Sequence, residues 1–281
     1  DSGDGWRHCV RQTDQYPMSW GVALRNSAGL GLGGIPSLLN AAAYPPSPSF
    51  DFLSGTLDPR ITFTRASNAT LFDSTGKLTY APNNQLTRSQ DFTTGWAISN
   101  ITLTNNAVAA PDGSITAARV VPDNGLAPTF PSASGLAQFA NPNGLTSIYS
   151  FYAKSGETTS IAVRDNYGGG FLYFDMGTNS TSGSSAGISN LSIQPVSGGW
   201  YRCSFKFSGK TGTNNFSLRG GVTGDGVSGF YVWGFQMEAV TYQTTARAYN
   251  ATTSSAYFGP KFYYDSVTLA PKGLLVEEPR T

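Results

Sequence analysis

Residues Phe230–Val240 read Phe-Tyr-Val-Trp-Gly-Phe-Gln-Met-Glu-Ala-Val and carry the strongest pattern in the chain. Apolar and aromatic side chains occupy the odd positions from Tyr231 to Ala239, whereas Gly234, Gln236 and Glu238 occupy even ones. A period of two is typical of a strand with one buried face. An aromatic side chain buries about 150–250 Å², so this face needs a second sheet opposite it. The segment therefore predicts a central strand of a β-sandwich.

The composition of the 281-residue chain also indicates an all-β protein. Charged residues make up only 12% of the chain, and 33 residues are glycine. This is typical of a turn-rich protein with a neutral polar surface. The net charge of +1 creates no field that would attract nucleic acid or an anionic membrane, and no apolar run approaches the roughly 20 residues of a membrane span. We therefore expect no nucleic-acid partner and no membrane insertion.

The middle of the chain is a succession of short strand patterns separated by clusters of Gly, Asn, Ser and Asp. The nine predicted strands are Ile101–Leu103, Ile115–Val121, Ile148–Lys154, Ser160–Arg164, Phe171–Met176, Ile188–Ile193, Trp200–Phe207, Phe216–Val222 and Phe230–Val240. In Trp200–Phe207 the alternation predicts inward side chains at Tyr201, Cys203, Phe205 and Phe207. Nine strands at this spacing favour two antiparallel sheets, arranged as a jelly roll.

Shorter strand patterns flank this region on both sides. On the N-terminal side they are Phe50–Leu53, Ile61–Arg65 and a hairpin, Leu71–Leu78, that turns at Ser74–Gly76. On the C-terminal side they are Pro260–Asp265 and Lys272–Glu278. Insertion into a loop is tolerated when its two ends lie close together. We therefore predict a jelly-roll domain of residues 83–255 inserted into a small β-module made of residues 49–82 and 256–281.

Residues 1–48 are predicted to form an extended arm that ends in a stiff linker, Tyr44-Pro45-Pro46-Ser47-Pro48. Residues 1–17 show no clear period, and Met18–Ala43 is apolar and rich in glycine, which favours docking on a partner. The Gly-x-Gly pairs between Gly29 and Gly34 lack the Lys-Ser/Thr of a phosphate-binding loop. We therefore expect no nucleotide site in the arm.

The cysteine and histidine content indicates neither a disulfide nor a metal centre. Cys9 and Cys203 are far apart in the chain, and Cys203 shares the apolar parity of its strand, which favours a buried free thiol over a disulfide. A free thiol fits synthesis of the protein in a reducing cytoplasm. His8 is the only histidine, and no cysteine pair has ligand spacing. Asp112 or Asp225 beside glycine would suit a structural Ca²⁺, but turn chemistry alone explains Asp-Gly. We therefore predict no metal and no cofactor.

A glycan-binding face is predicted on the strand Phe171–Met176. If Leu172, Phe174 and Met176 fill the core, Phe171 and Tyr173 form an exposed aromatic pair that can stack on sugar rings. The side chains predicted to complete this face are Tyr167, as a further aromatic, and Arg164, Arg202 and Arg219, as donors to sugar hydroxyls. The alternative is that these aromatics pack under a neighbouring loop or against another subunit.

Catalytic residues are not predicted anywhere in the chain. A glycosidase needs two carboxylates facing each other across a cleft. Asp165, Asp175, Asp225 and Glu238 are instead scattered over loops and strand ends, where an ordinary hydrogen-bonded carboxylate is the simpler interpretation. Polysaccharide depolymerase activity remains as the less favoured alternative to a protein that is not an enzyme.

Two blocks of sequence, Phe63–Gly76 and Phe262–Glu278, resemble the module of tailed-phage virion proteins that is often labelled head spike or head fibre. The region between them resembles the carbohydrate-binding-module-like jelly rolls that accompany this module. The segments that carry this second resemblance are Asp91–Trp96, Ala110–Gly113, Gly199–Arg202 and Trp233–Glu238. In the usual arrangement the two spike-module blocks are nearly contiguous, whereas in this chain the jelly roll separates them.

The resemblance implies a structural protein of a tailed phage, a head or tail spike or fibre, made in the host cytoplasm and located in the virion. It implies that residues 1–48 contact other virion proteins, of the capsid or the tail, and that three copies form a symmetric trimer. The alternative function is an adhesin whose jelly roll binds a host cell-surface glycan directly. These two functions are compatible with each other.

Overall fold

The computed structural model describes residues 50–125, 135–140, 144–166, 168–209 and 214–275. Apart from a 3-10 turn at Ser197–Gly199, all regular structure in these ranges is β. The predicted arm of residues 1–48 lies outside them, as do His8, Cys9, Tyr167 and residues 276–281. No helix in these ranges has the length and apolarity needed to cross a membrane.

The described residues form eighteen strands. In chain order they are β1 (Thr70–Phe72), β2 (Leu78–Tyr80), β3 (Asn83–Asn84), β4 (Ala97–Ser99), β5 (Ile101–Val108), β6 (Ala117–Pro122), β7 (Gly135–Ala140), β8 (Ser147–Ser155), β9 (Ser160–Asp165), β10 (Phe171–Asp175), β11 (Ser180–Ser184), β12 (Ile188–Pro195), β13 (Trp200–Phe207), β14 (Asn214–Gly220), β15 (Phe230–Ala239), β16 (Tyr257–Phe258), β17 (Phe262–Tyr264) and β18 (Pro271–Leu274).

Two six-stranded sheets pack face to face as a jelly-roll sandwich, which confirms the predicted fold class. The first sheet has the strand order β11-β10-β9-β14-β7-β4, and the second has the order β12-β13-β8-β15-β6-β5. Every pairing is antiparallel. Strand β15 lies between β8 and β6, so Phe230–Val240 does supply a central strand. Its Phe235 is fully buried in the aromatic core, with its ring centroid 4.9 Å from that of Trp96 and 5.4 Å from that of Phe151.

The predicted face of β15 is correct only for the second half of the strand. The register of β15 against β8 shifts between Trp233 and Gln236, and Gly234 has a φ of +63°. A bulge adds one residue to one strand and so reverses the alternation on one side of it. Phe230 and Val232 therefore enter the core before the bulge and Phe235 and Met237 after it. The prediction that Tyr231 and Trp233 face the same core is wrong.

Trp233 instead joins a second aromatic cluster on the outer face of the second sheet. Its indole Nε1 donates to Thr116 Oγ1 at 2.9 Å, and its ring lies 4.7 Å from that of Tyr249. The segment of residues 241–256, which follows β15, crosses this face and buries Trp233 to 4% exposure. The alternation predicted for β13 is confirmed, because Cys203, Phe205 and Phe207 are fully buried and Tyr201 packs against the same core. Cys203 is also a buried free thiol, as predicted.

Several elements differ from the sequence prediction. The strands β4, β7 and β11 were not predicted, and β11 reads Ser-Thr-Ser-Gly-Ser, which has no apolar alternation because it is an edge strand on β10. Strands were predicted at Phe50–Leu53 and Ile61–Arg65, but the structure has bends and irregular chain there. Near the first of them, Asp51 Oδ1 accepts the backbone N–H of Leu53 at 2.8 Å, and this local bond competes with a strand ladder.

The chain enters and leaves the sandwich at the same place. Strand β3 pairs with β16, with Asn84 opposite Tyr257 and Asn83 opposite Phe258. The predicted hairpin β1–β2 precedes this pair in the chain and the hairpin β17–β18 follows it, and β1 lies against β17. The rings of Phe72 and Tyr263 meet edge to face at 6.2 Å. The boundaries of the inserted domain and of the small β-module stay a prediction.

Candidate functional site

The candidate site lies on the outer face of the first sheet, where β10 displays two aromatic side chains. Leu172 and Phe174 are fully buried and Met176 is 2% exposed, so these three residues fill the core. Strand alternation then turns Phe171 and Tyr173 outward, and both are half-buried. Their ring centroids are 6.3 Å apart and their planes differ by only 24°. They form a nearly parallel aromatic pair on a rigid strand, and we call it the aromatic pair.

Neighbouring strands surround the aromatic pair with small and polar side chains. Phe171 lies opposite Arg164 of β9, and Arg164 lies opposite Ser217 of β14. One pleat along, Tyr173 lies opposite Ala162, and Ala162 lies opposite Arg219. Ala162 has only a methyl group, so the larger side chains of the two rows have room on either side of it. The outer face therefore combines two rings with two arginines.

Both guanidinium groups approach the ring of Phe171. The Cζ atoms of Arg164 and of Arg219 are each 5.9 Å from the centroid of that ring, within the range of a cation–π contact. Arg164 is half-buried, whereas Arg219 is only 3% exposed. Burial, together with the positive charge of Arg164, lowers the pKa of Arg219 to about 10. Arg219 therefore remains a cation at neutral pH.

The loop between β9 and β10 closes one end of the site. The backbone N–H of Gly169 donates to Asp165 O at 2.8 Å, and Asp165 N donates to Gly170 O at 3.0 Å. Asn166 Nδ2 donates to Ser217 Oγ at 2.5 Å, which ties the loop to β14 on the outer face. Tyr167, predicted to stand beside the aromatic pair, lies outside the described residues. Asn166 and Ser217 were not predicted, since only the pairing of β9 with β14 brings them together.

Arg202 is not part of this face. It belongs to β13 of the second sheet, where its Cζ atom lies 5.4 Å from the centroid of the Tyr152 ring and its Nη2 donates to Ser150 Oγ at 3.3 Å. The core separates these residues from Phe171, because the two faces point away from each other. Of the three arginines predicted as donors, the structure brings together Arg164 and Arg219 only.

The carboxylates considered in the sequence are engaged at separate places. Asp165 accepts a hydrogen bond from Ser185 Oγ at 2.7 Å, and Asp175 Oδ1 accepts Gly177 N at 2.8 Å. Asp225 Oδ1 accepts the N–H groups of Val227 and Ser228 at 2.9 and 2.6 Å. Ser228 Oγ also donates to Asp225 Oδ2. This bond first, and the two backbone bonds after it, lower the pKa of Asp225 to about 2. Each carboxylate thus has a structural role in its own turn or loop.

Two other features of the described residues bear on ligand binding, the carboxylates and a groove at the end of the sandwich. The described residues contain no group of three His, Cys, Asp or Glu side chains that could hold a metal ion, and Asp112 accepts the N–H and hydroxyl of Ser114, as turn chemistry predicts. A groove of about 240 Å³ lies at the end of the sandwich near Glu157, Ser160 and Asp225. Glu157 there is paired with Arg119 at 2.8 Å. Neither place offers an aromatic surface.

No protein-family model matches the sequence, and no curated protein matches it. Solved structures of carbohydrate-binding domains are similar over 58% of this chain. The CBM22-1 xylan-binding domain from Paenibacillus barcinonensis shares 13% identity at a TM-score of 0.36, and 97% of that domain is covered. The CBM22-1 and GH10 modules of a Clostridium thermocellum endo-1,4-beta-D-xylanase, complexed with xylohexaose, share 16% identity at a TM-score of 0.33, with 29% of that chain covered. Neither likeness identifies what the outer face of this chain binds.

Proposed function

We propose that the protein is a glycan-binding module and that the outer face of its first sheet is the binding surface. The observation that carries the proposal is the aromatic pair, in which Phe171 and Tyr173 stand nearly parallel at 6.3 Å. A sandwich with a filled core can bind a ligand only on an outer face or on its end loops. The aromatic pair is half-buried and so still presents ring surface to the solvent.

The chemistry of the surrounding side chains supports this function. The apolar C–H face of a sugar ring packs on an aromatic ring, while its hydroxyl groups need hydrogen-bonding partners when they lose water. Arg164 supplies N–H donors within reach of the Phe171 ring, and Asn166 and Ser217 supply amide and hydroxyl groups beside it. The rings lie on a strand rather than a loop, so little entropy is lost when a sugar stacks on them.

A double substitution tests the function. We expect Phe171→Ala with Tyr173→Ala to lower the affinity for every glycan that the protein binds by at least about tenfold, because both stacking surfaces are lost. The measurement is binding to a glycan array and to host polysaccharide, followed by calorimetry of the strongest ligand. Phe52→Ala serves as the control, because Phe52 is 36% exposed and lies outside the sandwich. Unchanged binding by the double variant would refute the assignment of this face.

A second proposed role, display of the sandwich on a tailed-phage virion, comes from the sequence resemblance, and it uses the pairing of β3 with β16, where the chain enters and leaves the sandwich. Such an arrangement suits a domain that is inserted into the small β-module. In this role residues 1–48 contact capsid or tail proteins and three copies assemble, as the sequence resemblance implies. Labelling of the protein on intact particles and its mass in solution test the location and the trimer. Release of reducing ends from host polysaccharide by the purified protein would instead indicate a depolymerase.

A further inference from the structure

The groove of about 240 Å³ at the end of the sandwich adjoins the proposed binding face. Ser160 lines this groove and is also the first residue of β9. On β9 the side chains of Ile161 and Val163 lie in the core, so alternation turns Ser160 and Ala162 to the outer face. Ser160 therefore belongs both to the groove and to the face that carries the aromatic pair.

The surface between the aromatic pair and the groove is formed by short side chains. Ser160 lies opposite Asp175 of β10, which is two residues beyond Tyr173 on the same face. On the other side of Ser160 lies Gly221, whose N–H donates to Ser160 O at 2.9 Å. A Cβ atom at Gly221 would lie 2.1 Å from Ser160 Oγ and 2.7 Å from Ser160 C, so a larger residue would displace the backbone of β9. A ligand on Tyr173 can therefore continue over this row towards the groove.

The distance from the aromatic pair to the groove suits a ligand longer than a disaccharide. Successive outward residues of a strand are about 6.7 Å apart, and neighbouring strands are about 4.8 Å apart. From the register of β9 on β10, the backbone of Ser160 is thus about 8 Å from that of Tyr173. The two rings of the aromatic pair are themselves 6.3 Å apart. Two sugar units stacked on Phe171 and Tyr173 would leave the groove empty, whereas a longer chain would reach it.

The walls of the groove offer hydroxyl groups and one exposed apolar side chain. The lining residues with hydroxyl groups are Thr158, Thr159, Ser160, Thr223 and Ser228. Val222, which is 53% exposed, adds an apolar surface. A hydroxyl group both donates and accepts hydrogen bonds, as the hydroxyl groups of a sugar do. The groove can therefore hold sugar units without an aromatic ring of its own.

The charge of the groove disfavours an acidic sugar there. Glu157 and Asp225 both line it. Hydrogen bonds, from Gly229 N–H and from Ser228 Oγ first, hold the pKa values of Glu157 and Asp225 at about 2, so both are ionised at neutral pH. Arg119 offsets the charge of Glu157, whereas the contacts that the structure gives Asp225 are with uncharged groups. The groove therefore keeps a negative charge that repels an anion.

We propose that the ligand is a neutral linear glycan longer than a disaccharide, which stacks on the aromatic pair and continues past Ser160 into the groove. The proposal rests on the glycan-binding function proposed above and names the class of ligand for that face. Ser160 and Thr223 exchange hydrogen bonds with the hydroxyl groups of the sugar units beyond the aromatic pair. Each unit that enters the groove adds contacts, so affinity depends on chain length.

A series of oligosaccharides of increasing length tests this inference. The probes are cello-, chito- and malto-oligosaccharides from the dimer to the hexamer, with the galacturonate hexamer as the acidic comparison, and calorimetry measures the affinity of each. We expect the hexamer of the best-bound neutral series to bind at least about tenfold more tightly than its dimer, which corresponds to about 1.4 kcal/mol. The affinity should level off once the groove is filled.

Two substitutions probe the groove separately from the aromatic pair. Thr223→Met replaces an exposed hydroxyl group by a longer side chain without donors, and Ser160→Ala removes the hydroxyl group where the face meets the groove. Each should lower the ratio of hexamer affinity to dimer affinity at least about threefold. Partial unfolding would not change this ratio, because it reduces the binding of both oligomers equally. Val267→Met is the matched control, since Val267 is 86% exposed and lies outside the sandwich.

The outcomes distinguish this inference from the function on which it rests. Equal affinity for dimer and hexamer, an unchanged ratio in both groove variants, or binding confined to mono- and disaccharides of the glycan array would overturn the extension into the groove and leave the glycan-binding function standing. Tighter binding of the galacturonate hexamer than of every neutral hexamer would overturn the neutral class of ligand. Absence of binding to all these oligomers and to every glycan on the array would overturn both proposals.

Discussion

At the scale of single residues, Glu238 shows how covering the outer face of a sheet changes the pKa of a carboxylate. Its position in β15 points away from the core, yet it is fully buried because residues 241–256 cross that face. Its Oε1 accepts the N–H of Arg247 at 2.8 Å, and Arg247 Nε lies 3.9 Å from Oε2. Burial is the largest influence and raises the pKa of Glu238 above its ordinary value, although these contacts oppose the shift.

The buried carboxylate predicts a specific dependence of stability on pH. Because the pKa of Glu238 is higher in the folded than in the unfolded protein, its contribution to the free energy of unfolding falls as pH rises above about 4.5. The variant Glu238→Gln removes this titration and keeps an oxygen that can accept the N–H of Arg247. We therefore expect the stability of the variant relative to wild type to increase between pH 4 and pH 7, measured by urea unfolding.

Glu157→Gln should show the opposite slope. The N–H of Gly229, and then Arg119, lower the pKa of Glu157 to about 2. Its stabilising contribution is therefore complete above the ordinary pKa of 4.5 and is lost as pH falls towards 2. The side chain is 55% exposed, so the effect should be small. The same slope for both variants would contradict the assigned shifts.

At the scale of elements, strand β15 shows that a bulge at one glycine lets residues before and after it enter the same core. The bulge at Gly234 sends Phe230 and Val232 into the core on one side and Phe235 and Met237 on the other. Without it, strict alternation would place one of these two pairs on the outer face. A Cβ atom at Gly234 would lie 3.0 Å from Tyr152 Cδ2, so a side chain at this position is disfavoured by crowding as well as by its φ of +63°.

Two alanine substitutions separate strain from crowding. Gly113 also has a positive φ, +87°, but a Cβ atom there would meet nothing within 4 Å. We expect Gly113→Ala to cost about 1 kcal/mol of stability through backbone strain alone. Gly234→Ala should cost at least about 1 kcal/mol more, because it also crowds Tyr152. Urea unfolding measures both, and equal costs would show that Tyr152 moves freely aside.

At the scale of the whole molecule, the two asparagines of β3 join the start of the sandwich to its last strand, β15. Asn83 Oδ1 accepts Ala239 N at 2.8 Å, and its Nδ2 donates to Ala239 O at 3.2 Å. Asn84 Nδ2 donates to Phe235 O at 3.0 Å and to Asn250 O at 2.9 Å, and its Oδ1 accepts Met237 N at 3.1 Å. Both residues are buried. Their amides thereby join β3 to the end of β15 across more than 150 residues of chain.

Removal of one of these amides should destabilise the whole molecule. Asn84→Ala leaves the buried N–H of Met237 and the C=O of Phe235 without the amide, and each unsatisfied group costs about 1–3 kcal/mol. We expect a loss of at least about 3 kcal/mol in the free energy of unfolding. Asn124→Ala, at an exposed position, should change it by less than about 0.5 kcal/mol. A loss below 1 kcal/mol for Asn84→Ala would show that water replaces the amide.

The sequence was informative wherever one local pattern controls the structure. Alternation predicted nine of the eleven described strands between Ile101 and Val240 and placed Phe171 and Tyr173 on one face of their strand, because burial of every second side chain is a property of the strand itself. It missed β7 and β11, of which β11 has polar side chains that burial does not select. It also misplaced Trp233, because a bulge is stabilised by contacts with other strands. The acidic and basic neighbours of a strand depend on which strands pair, and this is not a local property.

The amino-acid pattern on its own thus determined an aromatic-filled, nearly neutral β-sandwich and placed Phe171 and Tyr173 on one face of their strand. Only the tertiary structure decided which cations accompany those rings. Arg164 and Arg219 are more than 50 residues apart and meet because β9 pairs with β14, whereas Arg202 belongs to the other sheet. The physical reason is that hydrophobic burial acts on each strand separately, but strand order arises from the packing of the whole core, and strand order sets the charge of the face.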